Sequence, residues 1–187
     1  MARVPYVDPD AASPEVRDAL DGMPPLNIFR MVANADSAFV PFVRYVGTLL
    51  TQLELDAQLR ELAILLTAAR TEAEYEWVQH EGLSRAMGIP EEQIAAVRNG
   101  HLDDESLGSP DAGALLRFVS EILDGPRASE ETFAALTARF PHRQIVEVLL
   151  VVGAYHGLAR LMTTLDLELD APVGSEILDE ARERLSE

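Results

Sequence analysis

Glu76 and His80 stand four residues apart, with Glu61 upstream, inside the stretch QLRELAILLTAARTEAEYEWVQHEGLSRAMG from Gln58 to Gly88. On an α-helix, residues four apart share a face one turn up. Glu76 and His80 therefore point the same way, and Glu61 meets them if two helices fold back on each other. Three readings fit. A Glu–His pair at i, i+4 is a common solvated surface pair. Two carboxylates and an imidazole also suit a divalent metal, although bundle di-metal sites use Glu-x-x-His on two helices; here the spacing is one residue longer and occurs once. The third reading is proton transfer. Acids held together beside apolar walls acquire separated pKa values, one raised, as general acid–base work needs, and His80 relays protons or orients an acid. That chemistry predicts at least one acid protonated at neutral pH.

A helical period runs through the elements that would position such a site. Residues 1–13 read as an extended arm, since Pro5 and Pro9 discourage helix. Ser13-Pro14-Glu15 starts a short helix that stops near Gly22, and Pro24-Pro25 forces an extended step. Asn27 or Asp36 caps the segment after that step, with an amphipathic helix from Asp36 to Leu53 that tolerates Pro41 in its first turns. Asp56 opens a helix to about Arg70 whose apolar stripe is broad enough for burial on nearly all sides. After a break at Thr71 to Glu74, its partner runs from Ala73 to Met87 and is closed by Gly88. Then come a short helix to Asn99, a polar acidic stretch from His101 to Ser109, and helices from Ser109 to Gly125 and from Ser129 to Ala138. A long helix runs from Pro141 to about Leu165. An amphipathic terminal helix in 174–187 either packs on a neighbouring subunit or frays. No hairpin signal appears. The reading is all-α, one domain over 1–187, with its core motif at 58–88.

Composition narrows the function. The 187 residues carry a net charge of −17, which argues against nucleic acid, because phosphate recognition needs clustered Lys and Arg, and against anionic membrane surfaces. No cysteine is present, which removes disulfides and every thiol mechanism. The first residues contain no apolar stretch of the secretory kind. The longest apolar run, Ile145 to Ala154, is too short to span a bilayer. A cytoplasmic location is the expectation.

The string RELAILLTAARTEAEYEWVQHEGLSRAMGI is similar to the core motif of the carboxymuconolactone decarboxylase family, whose superfamily also holds the AhpD-type alkylhydroperoxidases. The likeness extends to Pro24-Pro25-Leu26-Asn27-Ile28-Phe29-Arg30-Met31 and to Gln144–Glu147, Gly153–Tyr155 and Ala159-Arg160, and so covers most of the chain. It implies an AhpD-like helical bundle built around a helical hairpin, assembled as a homo-oligomer, commonly a trimer or hexamer. In the peroxidase branch a Glu on the first helix works with Cys-x-x-Cys-x-x-x-His on the second. Matching His80 to that His places Glu61 on the Glu, Glu76 on the second Cys and Ala73 on the first. Both thiols are absent, so dithiol peroxidase activity is not available. What remains resembles the decarboxylase branch, a lyase that removes CO2 from a γ-lactone acid in aromatic catabolism without cofactor or metal. The resemblance makes Glu61 and Glu76 the proton handlers and His80 their partner.

Other residues carry two readings each. Tyr75 and Trp77 flank the helix start as packing or as substrate contacts. Arg160 pairs at i, i+4 with His156, and forms a salt bridge or binds substrate; Glu147 is a candidate acid for it, with Arg143 competing. A decarboxylase-like enzyme acting on a small lactone or carboxylate predicts a partly apolar pocket faced by Glu61, Glu76 and His80. The rival, a non-catalytic oligomeric binding module, predicts those residues exposed or locked in a closed ionic network without a cavity.

Overall fold

The computed structural model describes residues 1–174 and 176–186, the side chains of 180 and 184–186 excepted. Those residues form ten α-helices and no strand. The first three helices are α1 (Pro14–Asp21), α2 (Asn27–Val32) and α3 (Asp36–Thr51). Neither Asn27 nor Asp36 caps; each is the first residue of its helix, and the preceding Leu26 and Ala35 offer no capping side chain. Asn27 instead donates its side-chain amide to the Glu168 carbonyl at 3.0 Å.

The centre of the molecule is the hairpin of α4 (Ala57–Thr71) and α5 (Glu74–Ala86). Asp56 caps α4 by accepting bonds from the Gln58 and Leu59 amides, both at 3.0 Å. Glu72 ends it in the left-handed region, at φ 57°, and its amide bonds to the Ala68 and Ala69 carbonyls. That conformation costs a side-chain-bearing residue roughly 1–2 kcal/mol, and it lets α5 fold straight back on α4. From Arg60 to Ala68 every residue of α4 is buried, as its broad apolar stripe predicts.

The remaining helices wrap this hairpin. They are α6 (Glu91–Asn99), α7 (Pro110–Asp124), α8 (Glu130–Thr137), α9 (His142–Thr164) and α10 (Glu176–Ser186). Ser13, Ser109 and Ser129 cap α1, α7 and α8 through their hydroxyls. Gly88 and Gly100 take positive φ, 81° and 73°, where the chain leaves α5 and α6, a conformation that costs glycine least. The acidic stretch after α6 is anchored by Leu107, which is buried in the core.

Two apolar clusters meet at α4. One joins Leu62, Leu65 and Leu66 to α6, α7 and α8 and to the start of α9. The other joins Ile64 to α1, α2, α3 and the second half of α9. Helix α9 holds the apolar run from Ile145 onward and is longer than that run. Its 23 residues are long and apolar enough to cross a membrane by length and composition, yet half of that window is buried inside the fold. Terminal helix α10 packs on α3 of its own chain with Leu178 buried, where the sequence suggested a neighbouring subunit or fraying. Residues 175 and 187 of the expected 174–187 helix lie outside the described residues.

Candidate active site

Glu61, on the second turn of α4, is fully buried. Its Oε1 accepts from Arg60 Nε and Nη2, both at 3.3 Å, and its Oε2 meets His80 Nδ1 at 2.7 Å. Arg60 is itself 3% exposed. A buried charge is tolerated only when paired, and Arg60 and Glu61 supply that pairing to each other. An ionised carboxylate can only accept. In a bond to such a carboxylate Nδ1 is the donor, and Nε2 is the ring nitrogen without a protein partner among the described residues. The edge-on ring of Tyr155, 4.9 Å away at 86°, packs against the imidazole. The Tyr155 hydroxyl has no hydrogen-bond partner among the described residues. Burial first, and then the negative charge of Glu61, push its pKa well above the usual tyrosine range, so it remains a neutral donor.

His80 and Tyr155 line a cavity of about 520 Å³. Helices α1, α2, α3, α5, α9 and α10 all contribute to the wall. It is mostly aliphatic and aromatic, with Phe29, Val43, Val46, Leu50, Leu158 and Met162 among its residues. The charged residues of the lining, Glu15, Asp18 and Arg44, are all exposed and so mark its solvent rim. Buried Gln79 lies on the lining as well. Its amide is already engaged: Nε2 donates to the Asp170 and Ala171 carbonyls, and Oε1 accepts from the Val173 amide.

The other expected site residues stand elsewhere. Glu76 is 1% exposed, is absent from the cavity wall, and neither of its carboxyl oxygens has a hydrogen-bond partner. Burial pushes its pKa well above the usual carboxylate range, which favours the neutral acid. The structure thus joins Glu61 to His80 and keeps Glu76 out of that pair. Tyr75 is buried, and its hydroxyl donates to Asp170 Oδ2 at 2.5 Å while accepting from the Ile28 amide at 3.3 Å. Trp77 lies in the cluster on the far side of α4, under the Arg98 guanidinium at 4.4 Å. Gln79, His80 and Leu83 of α5 border the cavity; Tyr75 lies on the same face one turn before Gln79 and is taken up by Asp170, while Trp77 points to the other cluster. Arg160 is exposed and makes no ion pair among the described residues, because it falls on the outer stripe of α9. Arg143, not Arg160, takes Glu147, at 2.9 Å.

The same fold recurs in solved structures. The chain superposes on an uncharacterised peroxidase-related protein from Ralstonia eutropha, an alkylhydroperoxidase AhpD core. The TM-score is 0.77, with 19% identity, over 97% of this chain and 96% of that one. The fold is AhpD-like. A peroxidase-related protein from a Silicibacter species gives a TM-score of 0.76 at 16% identity, over 90% and 91% of the two chains. The debrominase Bmp8 gives 0.73 at 14%, over 94% and 96%. No family model and no curated protein matches the sequence. At these identities the likeness carries the architecture alone.

Within this AhpD-like bundle the described residues contain no group of three His, Asp or Glu side chains placed to hold a metal ion. Two site residues went unnoticed in the sequence. Arg60 carried a signal, since a charged residue directly beside Glu61 in an apolar stripe needs a partner. Tyr155 carried a weaker one: it is spaced at i+3 and i+7 from Leu158 and Met162, the buried face of α9, whereas His156 and Arg160 lie on the other stripes.

Proposed function

We propose that this protein is a carboxymuconolactone decarboxylase-like enzyme that removes CO2 from an organic acid by proton transfer at His80, without a cofactor. The supporting observation is the 2.7 Å contact between His80 Nδ1 and buried Glu61 at the wall of a large cavity. In such a reaction the bond from the substrate carbon to its carboxylate breaks, and CO2 departs. The electron pair left behind delocalises onto an adjacent carbonyl and is quenched by a proton. Protonated His80 delivers that proton from Nε2, while Glu61, paired with Arg60, stabilises the imidazolium and fixes its orientation. Tyr155 donates to the oxygen that gains charge. Glu76 lies outside this step, because a carboxyl sealed from the cavity exchanges no proton with a ligand there. His80 is the catalytic residue and Glu61 its positioning partner. Tyr75, Trp77 and Arg160 have no part in substrate binding on this reading. The rival binding module is favoured by the closed Arg60–Glu61 network and opposed by the cavity that the network borders.

A homo-oligomer belongs to the same proposal. The outer face of α9 presents Val146, Leu149 and Leu150, each more than two-fifths exposed, and supports self-association, as a trimer or hexamer. The activity test is CO2 release from lactone and unsaturated acids, γ-carboxymuconolactone among them. Loss of general acid–base catalysis costs about 10²–10⁴-fold. His80→Ala is expected to fall by that factor, Glu61→Gln to fall with it, and Glu76→Gln to stay near wild type. Full turnover in His80→Ala would overturn the role given to His80, and none by folded wild-type protein on the whole panel would leave the binding module standing.

A further inference from the structure

The cavity carries information about its occupant that the reaction class alone does not. Resting on the acid–base reading above, we propose that the substrate is a largely apolar monocarboxylate, with a long hydrocarbon body and one head group seated between His80 Nε2 and the Tyr155 hydroxyl.

Charge is the first argument. Arg60 and Glu61 cancel each other, with Nη2 and Nε both on Oε1 at 3.3 Å. Glu76 has no charge partner and no place on the wall. The buried end of the cavity can therefore present one positive charge, a proton on His80, and match one carboxylate. Among the described residues of the lining the only other cation is Arg44, which sits exposed at the rim beside Glu15 and Asp18. A second ionised group inside would be left unpaired, which is costly.

Hydrogen bonding points the same way. Gln79 spends its donors and its acceptor on Asp170, Ala171 and Val173. His80 spends Nδ1 on Glu61. Only Nε2 and the Tyr155 hydroxyl remain at the buried end, enough for one compact head group, a carboxylate with its adjacent carbonyl. Beyond them the wall is Phe29, Val43, Val46, Leu50, Leu158 and Met162. A ring or chain studded with hydroxyls would lose its hydrogen bonds to water there and gain none. About 520 Å³ lies within the range of pockets that enclose drug-sized ligands, so a compact diacid would leave most of it unfilled.

The test is calorimetric titration of the full chain with hexanoate, octanoate, decanoate and succinate, in buffers of different ionisation enthalpy. Affinity is expected to rise about tenfold for each pair of added methylenes, with no detectable succinate binding. Binding is expected to draw in a proton, and His80→Ala is expected to abolish that uptake. Val46→Phe, which fills part of the cavity without adding charge, should weaken decanoate more than hexanoate. Affinity that is flat with chain length, or succinate bound as tightly as octanoate, overturns the proposal. Length-dependent binding without CO2 release from any acid would remove the decarboxylase reading and keep this one. CO2 release from compact diacids without length dependence would do the reverse.

Discussion

On one side of α4, Leu62, Leu65 and Leu66 are packed by α6, α7 and α8, and most members of that cluster are fully buried. On the other side, around Ile64, more members are half-buried than buried. The half-buried ones, such as Phe29, Val43, Val46 and Leu50, form the wall of the cavity. Both sides are built from the same residue types, so composition does not distinguish them. Geometry does: on the first side helices close against each other, and on the second α1, α2, α3 and α10 stand around a space. The buried acids differ in their partners: Glu147 is held by Arg143 and by the Glu54 and Leu55 amides. Glu61 is held by Arg60 and by His80, which borders the space, while Glu76 is sealed without a partner.

The sharpest way to break this comparison is to cut the ion pair. Glu61→Ala leaves Arg60 buried and alone, and removing one partner of a buried pair costs about 3–5 kcal/mol. Urea denaturation measures it, and a loss near zero would mean that Arg60 swings out to water. The next largest effect compares the two sides directly. Leu116 on α7 is fully buried in the closed cluster, and Leu116→Ala should cost about 2–5 kcal/mol, as large-to-small core changes do. Val46→Ala, at the wall of an existing space, should cost less than about 1 kcal/mol, since the removed methyls leave a cavity that is already there. Equal costs would mean that the hollow side closes in solution.

Glu76 gives a smaller effect with a pH signature. An unsatisfied buried polar group costs about 1–3 kcal/mol, so Glu76→Met should stabilise the protein by about that amount. Burial raises the folded-state pKa of Glu76 above its unfolded value. At pH below the ordinary carboxylate range both states hold the proton and the group adds no pH dependence. As pH rises above that range, the unfolded state releases a proton that the folded state keeps, and stability falls. The stability advantage of Glu76→Met should therefore widen from acid toward neutral pH. An advantage constant with pH would mean that Glu76 is ionised in the fold.

What could be read from the sequence was local. Ser13, Asp56, Ser109 and Ser129 do cap, because capping depends on a side chain and an amide two or three residues away. Helix ends near Gly22, Gly88 and Gly125 follow from the same short range. The pairing of Glu61 with His80 was within reach because it needs only a tight hairpin between two helices. The rest depended on distant contacts. Glu76 shares a face with His80 by spacing, yet whether that face meets a cavity or packed side chains is decided by α9 and its neighbours, far along the chain. Arg160, on a largely apolar helix, was expected to find a carboxylate or a substrate, but the stripe of α9 that carries it faces solvent.

Tyr75 shows the same limit, and it yields the smallest of the effects. Its hydroxyl holds Asp170, whose Oδ2 also accepts from the Asn27 amide at 2.7 Å. Gln79 holds the next residues of the same segment. That segment leads into α10, so Val173, Ile177 and Ala181 reach the cavity wall. A tyrosine at the start of α5 thus acts on the hollow side without touching the space itself. Trp77, two residues on, belongs wholly to the closed side. Tyr75→Phe removes one net hydrogen-bond contribution, about 1 kcal/mol, and leaves the Ile28 amide short of a partner. Its main signature is local: amide hydrogen exchange should speed up at Val173 and along α10, while Leu115 and Leu116 on α7 keep wild-type protection. Acceleration on both sides alike would mean that the two halves open as one unit, and that the contrast across α4 is one of packing but not of dynamics.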